Sequence, residues 1–360
     1  MSKYIKLLSV AGLACVPAVS FAATTLSDVL EASGITATGY LSASYSTNFN
    51  DGNQLGGRTF DGTTDSFAFN QAALTVSKLP TEGFGALVNV IAGNDATVIN
   101  RSYGDGDSDS KFNLTQAYVQ YAVGGLTVIG GRYVTLSGFE VINETATPHI
   151  AHGYLFQNAE PLVHTGLRAS YKFNDTITAY LGLNNSAIGG AATDNNKLKT
   201  IESGVALTPI KPLSIGLYNY YGFDKIAGED VASNWLDLVV SYSVTDNLSV
   251  AVNGDYARFF STPVTPGFEI KGVATYAAYK INDLFTVRGR FEYANSKLDA
   301  VKSNNILTYT GTLVFSPASS FDILGEVRYD TSKKSQPIFP DGAGVKDSQG
   351  DIAVKVVYKF

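Results

Sequence analysis

The chain has 360 residues, 32 acidic and 26 basic, for a net charge of −6 at neutral pH; this balance argues against nucleic acid as a partner. Charged residues make up only 16 %, below the roughly 25 % of soluble domains, while 21 Tyr, 20 Phe and 35 Gly suit a β-rich wall with aromatic girdles at a lipid interface.

Residues 1–22 read as a secretory signal peptide. Lys3 and Lys6 supply the basic start, an apolar run follows to Val16, and Ser20 and Ala22 place small residues before a cleavage site near Ala22. The run is too short to span a bilayer as a helix. The one cysteine, Cys15, lies inside it, and Gly12 stands where a lipidation signal needs an apolar residue. Removing this segment leaves no cysteine, hence no disulfide, and no apolar stretch long enough for a transmembrane helix. Residues 23–35 form the one expected helix, with Thr25 or Ser27 as cap and Gly34 as stop.

From residue 36 to 360 the chain repeats one unit: an alternating stretch ending in an aromatic, a short turn, and another alternating stretch. The turns share their chemistry at 121–126 (YAVGGL), 171–177 (YKFNDTI), 242–248 (YSVTDNL) and 279–285 (YKINDLF), with 79–84, 209–212 and 317–320 filling the same role. Gly, Asn, Asp and Pro are what tight hairpins need. Long polar segments separate these units, at 48–65, 95–111, 135–160, 186–199, 225–233, 261–267, 297–304 and 332–350. Strands are expected near 36–47, 66–78, 84–94, 111–122, 126–134, 162–173, 176–186, 198–208, 213–224, 233–244, 248–260, 268–281, 284–296, 305–315, 321–331 and 351–360, about sixteen in all. An even number, with short turns at one end and long loops at the other, predicts an all-β fold: a transmembrane antiparallel β-barrel with a short N-terminal helix.

Period two assigns the faces. Phe285, Val287, Phe291 and Tyr293 point out, with Arg288, Arg290 and Glu292 in. Val327 and Tyr329 point out, with Glu326, Arg328 and Asp330 in. Leu167, Tyr171 and Phe173 point out, with His164, Arg168 and Lys172 in, and Asp237 lies opposite Leu236 and Leu238. Holding an Arg or Lys in lipid would cost about 2–4 kcal/mol at the midplane, so the charged face is the lumen. The last ten residues alternate in the same way and end on Tyr358 and Phe360. They are similar to the terminal strand that serves outer-membrane barrels as an assembly signal.

Residues 26–40 (LSDVLEASGITATGY), 116–120 (QAYVQ), 130–132 (GGR), 138–140 (GFE), Asn143, Pro161 and 164–166 (HTG) together resemble the OmpL-like β-barrel porin family of the bacterial outer membrane, most clearly over 26–185. The resemblance implies a porin-like barrel and says little about the solute.

The loop 135–160 holds Glu140, Glu144, His149 and His152. Folded into the lumen, it would set acids opposite Arg132, Arg168, Arg288 and Arg290 and form a charged constriction; left outside, it would face water. Arg132, Glu140, Glu144, Arg168, Asp237, Arg288, Arg290, Glu292, Glu326 and Arg328 are the candidate pore-lining or constriction residues. The same Arg and Glu residues serve equally well as ion pairs bracing the wall. His149 and His152 are weak metal candidates. HExxH and GxSxG are absent from the sequence, so no enzyme and no cofactor is expected. The expected function is passive diffusion of small hydrophilic solutes through a charged aqueous lumen. The expected partners are outer-membrane lipid, the barrel assembly machinery and the solute, with homo-oligomerisation open. The alternative is a closed or plugged barrel acting as a surface adhesin or structural protein.

Overall fold

A computed structural model describes residues 26–103, 109–187, 194, 196–299, 303–332 and 336–360. The expected signal peptide, Cys15 and the first residues of the expected helix lie outside the described residues. Helix α1 (Leu26–Ser33) ends where expected. Gly34 takes φ +67, and the Ile35 amide donates to the Leu30 carbonyl at 3.1 Å, the Schellman closure that only a residue tolerant of positive φ accommodates readily. This segment belongs to a compact unit separate from residues 36–360.

The second unit is a closed antiparallel barrel of sixteen strands in which each strand pairs with its neighbours in sequence. The first half comprises β1 (Thr36–Asn48), β2 (Ser66–Lys78), β3 (Gly83–Ala92), β4 (Phe112–Val123), β5 (Leu126–Val134), β6 (Val163–Lys172), β7 (Ile177–Asn184) and β8 (Thr200–Ile210). The second half comprises β9 (Leu213–Ile226), β10 (Glu229–Ser243), β11 (Leu248–Phe259), β12 (Phe268–Lys280), β13 (Phe285–Leu298), β14 (Asn304–Ala318) and β15 (Phe321–Thr331), and ends on β18 (Ser348–Lys359). A two-stranded hairpin, β16 (Phe339–Asp341) with β17 (Gly344–Lys346), stands in the last long loop.

The recurrent turns fold as their residues dictate. The Asn282 side chain accepts from the amides of Leu284 and Phe285, both at 2.9 Å. Asn174 does the same for Thr176 and Ile177, and Thr245 for Asn247 and Leu248. These side chains mimic a backbone turn and fix the hairpin register. Gly124 supplies φ +56 for the two-residue turn between β4 and β5.

Three expectations fail locally. The segment 225–233 is no loop: β9 and β10 continue through it and reverse on Ala227 and Gly228, at φ +51 and +87, the double positive φ of a tight hairpin. Its polar residues had masked strand alternation. Helix α2 (Asn94–Tyr103) occupies a segment expected as loop; Asp95 in its first turn and Arg101 in its last suit the helix dipole. A third helix, α3 (Tyr154–Asn158), lies inside the longest loop.

Faces follow the period. Leu167, Val287, Val327, Tyr329, Ile352 and Val354 are exposed on the outer wall, whereas Arg290, Glu292, Glu326, Arg328 and Lys355 are buried inside. An outer surface this apolar needs an apolar solvent.

Closure joins β1 to β18 in register from Tyr40↔Lys359 to Asn48↔Asp351. Gly39 and Phe360 exchange both backbone hydrogen bonds at 2.9 Å. A Cβ on Gly39 would come 2.5 Å from the Phe360 ring, so glycine is what lets the last aromatic lie over β1. Gly39→Val is therefore expected to displace Phe360 and lower the yield of compact, heat-modifiable barrel on refolding. Unchanged mobility and yield on cold SDS gels would show that this contact is dispensable.

Candidate functional site: the lumen and its inserted loop

The loop 135–162, between β5 and β6, folds into the barrel. Its entry is fixed by Tyr220, whose hydroxyl accepts from the Leu136 amide at 2.9 Å, and by Asn253, which accepts from the Phe139 amide at 2.7 Å. Two apolar clusters then grip it. Ile142, Ile150 and Phe156 pack with Tyr40, Ile91 and Val357. Leu155 and Ala159 pack with Tyr220, Trp235 and Ile270. Adjacent residues of α3 thus face different parts of the wall, so the loop bridges the lumen.

Charged wall side chains bind the loop backbone. Glu326 accepts from the amides of Ile150 and Ala151 at 2.7 and 2.9 Å. Glu292 accepts from those of Tyr154 and Leu155 at 2.8 and 2.7 Å, which satisfies the free donors at the start of α3. Arg328 donates to the His152 carbonyl at 2.6 Å, and Arg288 to that of Pro148 at 2.8 Å. Arg290 bridges Glu140 at 2.5 Å, the Ala151 carbonyl at 2.8 Å and Thr310 at 2.9 Å. Lys355 pairs with Glu144 at 2.6 Å.

Glu140 also accepts from the Gly153 amide at 2.7 Å and from Tyr276 at 3.2 Å. Burial pushes its carboxyl up, but Arg290 beside it outweighs that and holds it at about 2. Burial, then Arg290, pushes His149 well below the ordinary imidazole range. Its Nδ1 lies 2.7 Å from the Thr312 hydroxyl, and His152 Nε2 lies 2.9 Å from the Val141 carbonyl. The two histidines expected as weak metal ligands thus each hold the loop in place.

The other candidates are distributed differently. Arg168 forms a two-point ion pair with Glu202 and lies 4.3 Å over the Tyr133 ring. Asp237 faces acids rather than arginines. Arg132 pairs in register with Ala117 and Thr165, the parity of the outward Leu167, but its guanidinium Nε and Nη2 are buried. Sequence reasoning also missed Arg58, a loop residue fully buried against Asp61, Asp330 and Asp351, and Asp95, which accepts from Gln71 at 2.9 Å. Neither segment has a periodicity that would have pointed inward.

Two cavities flank the inserted loop. One, of about 250 Å³, is lined by Thr75, Asn89, Gln116, Glu140 and Asn143. The other, of about 290 Å³, is lined by His149, Lys211, Ser214, Ser249 and Arg288. Arg288 is only half-buried, whereas Arg290 and Arg328 are sealed under the loop.

A closed sixteen-strand wall, apolar outside and charged inside, with one long loop folded into its bore, defines a porin-type barrel. The chain belongs to the family described as "Putative beta-barrel porin-2, OmpL-like", whose model matches residues 34–360. Among solved structures it is similar to the anion-selective porin of Comamonas acidovorans (14 % identity, 91 % of this chain and 99 % of that one, TM-score 0.65). It is also similar to the trimer form of OmpT, an outer-membrane protein of Vibrio cholerae (12 %, 91 % and 99 %, 0.64), and to OprB of Pseudomonas putida (13 %, 93 % and 96 %, 0.63). At such identities the likeness is one of fold. No curated protein matches the chain.

Lys355→Met would leave Glu144 buried without its partner, at a cost of about 3–5 kcal/mol, read as a lower midpoint in denaturant unfolding of the detergent-refolded barrel. Adding Glu144→Leu should recover most of that loss. A silent single variant would show that the pair is solvated.

Proposed function

We propose that the protein is an outer-membrane channel through which small hydrophilic solutes diffuse passively, with the loop 135–162 narrowing the bore. The observation that carries this reading is the loop's attachment inside a lumen that keeps cavity space on both sides of it, lined by charged and polar side chains among apolar ones. Opposed charges beside a narrowed passage orient dipolar solutes and bias ion flow. Arg288 is the selectivity residue in this account, because it faces cavity space and its one strong partner is the Pro148 carbonyl. Arg290 and Arg328 hold the loop instead. Residues 1–22 direct export and are removed, residues 23–35 form a short helical segment, and 36–360 the barrel. Tyr358 and Phe360 present the strand end to the assembly machinery. The trimer form of the Vibrio protein makes a trimer the assembly to test here.

A second reading, a plugged barrel with a surface role, is favoured by the two apolar clusters that pack the loop against the wall. Planar-bilayer conductance of the refolded protein separates the two. The channel account expects open steps that scale with salt, and in Arg288→Ala a reversal potential shifted toward cations with the barrel still folded. Silence from a folded barrel would favour the plug, and unchanged selectivity in Arg288→Ala would remove that residue from the filter.

A further inference from the structure

Several buried acids of the lumen have strong partners. Glu140, Glu144, Glu202 and Asp330 each meet an Arg or Lys, and Glu292 and Glu326 each meet two backbone amides. Glu160, Asp237 and Asp255 have neither arrangement. Among the described residues, none of these three forms an ion pair with Lys, Arg or His, although their exposures are only 7 %, 2 % and 5 %. One carboxylate oxygen from each lies within 4.8 Å of the other two.

The arrangement is specific. Asp237 and Asp255 stand directly opposite each other on β10 and β11, where like charges repel. Asn253 donates to one oxygen of each, at 2.7 and 3.0 Å. The two aspartates also approach each other, and the Gly138 amide approaches Asp237, but Asp237 Oδ1, Asp255 Oδ1 and Glu160 Oε2 are buried without a well-formed hydrogen bond. Glu160 lies over Gly138, where an added Cβ would fall 1.9 Å from Oε2. Gly138, at φ +91, is at the opposite end of the same loop. The three free oxygens thus sit where both limbs of the loop meet the wall.

We propose that Glu160, Asp237 and Asp255 form a divalent-cation site whose occupant is calcium. Three hard carboxylate oxygens with no nitrogen or sulfur donor select calcium or magnesium over zinc or copper. A span of up to 4.8 Å matches opposite ligands at a metal–oxygen distance of about 2.4 Å, and an irregular site is tolerated by calcium and resisted by magnesium. The ion would offset the facing charges of β10 and β11 and tie both limbs of the inserted loop to them. This site stands whether or not the barrel conducts.

The test is calorimetric titration of calcium chloride, with magnesium chloride in parallel, into the refolded full barrel after EDTA treatment. One saturable calcium per chain is expected, with weaker magnesium binding. Glu160→Gln and Asp255→Asn, each verified as a heat-modifiable barrel, should weaken calcium on the order of tenfold or more. No saturable calcium in the wild-type protein would overturn the proposal and mean that the acids share protons. Binding unchanged in both variants would also overturn it, by placing the ion on acids of the outer loops.

Discussion

Charge sealed between the barrel wall and the inserted loop must be compensated there, because bulk water is shut out of that contact. In this barrel the compensation comes largely from one loop. Glu326 and Glu292 spend their acceptors on four loop amides, and Arg288, Arg290 and Arg328 donate to loop carbonyls. The dependence is mutual: the loop's exposed backbone groups would be orphaned inside the bore without the wall, and the wall's charges without the loop. Removing either side leaves buried polar groups unmet, which is costlier than the net worth of the pairs.

The outer face obeys the opposite constraint. Every barrel strand completes its backbone hydrogen bonds with two neighbours, since closure leaves no edge. Leu167, Val327 and Val354 can therefore face lipid without exposing unpaired amides. Ring contacts such as Phe84 with Tyr121 and Phe291 with Tyr309 join neighbouring strands on that face. One wall thus serves two solvents, and period-two alternation separates them.

Much of this was legible in the sequence, because a strand's period and a hairpin's turn residues are local properties. Asn174, Thr245 and Asn282 announced their turns, and Arg290 and Glu292 announced their side. The family was legible too, from short motifs such as 116–120 and 164–166. What was not legible depended on contacts distant in sequence. Nothing near Arg58 says that it will meet Asp351, and nothing near Asp237 says that Asp255 and Glu160 will face it. The choice between bracing and selectivity turned on which side of the loop each arginine ended up, and the wall strands alone do not encode that.

Amide hydrogen exchange in the refolded barrel tests the central claim most directly. If the loop is pinned within the lumen, the amides of Ile150, Ala151, Gly153, Tyr154 and Leu155, all bound to Glu326, Glu140 or Glu292, will exchange far more slowly than those of the loop 261–267. Exchange of these five as fast as that loop would place 135–162 in open solvent and contradict the account.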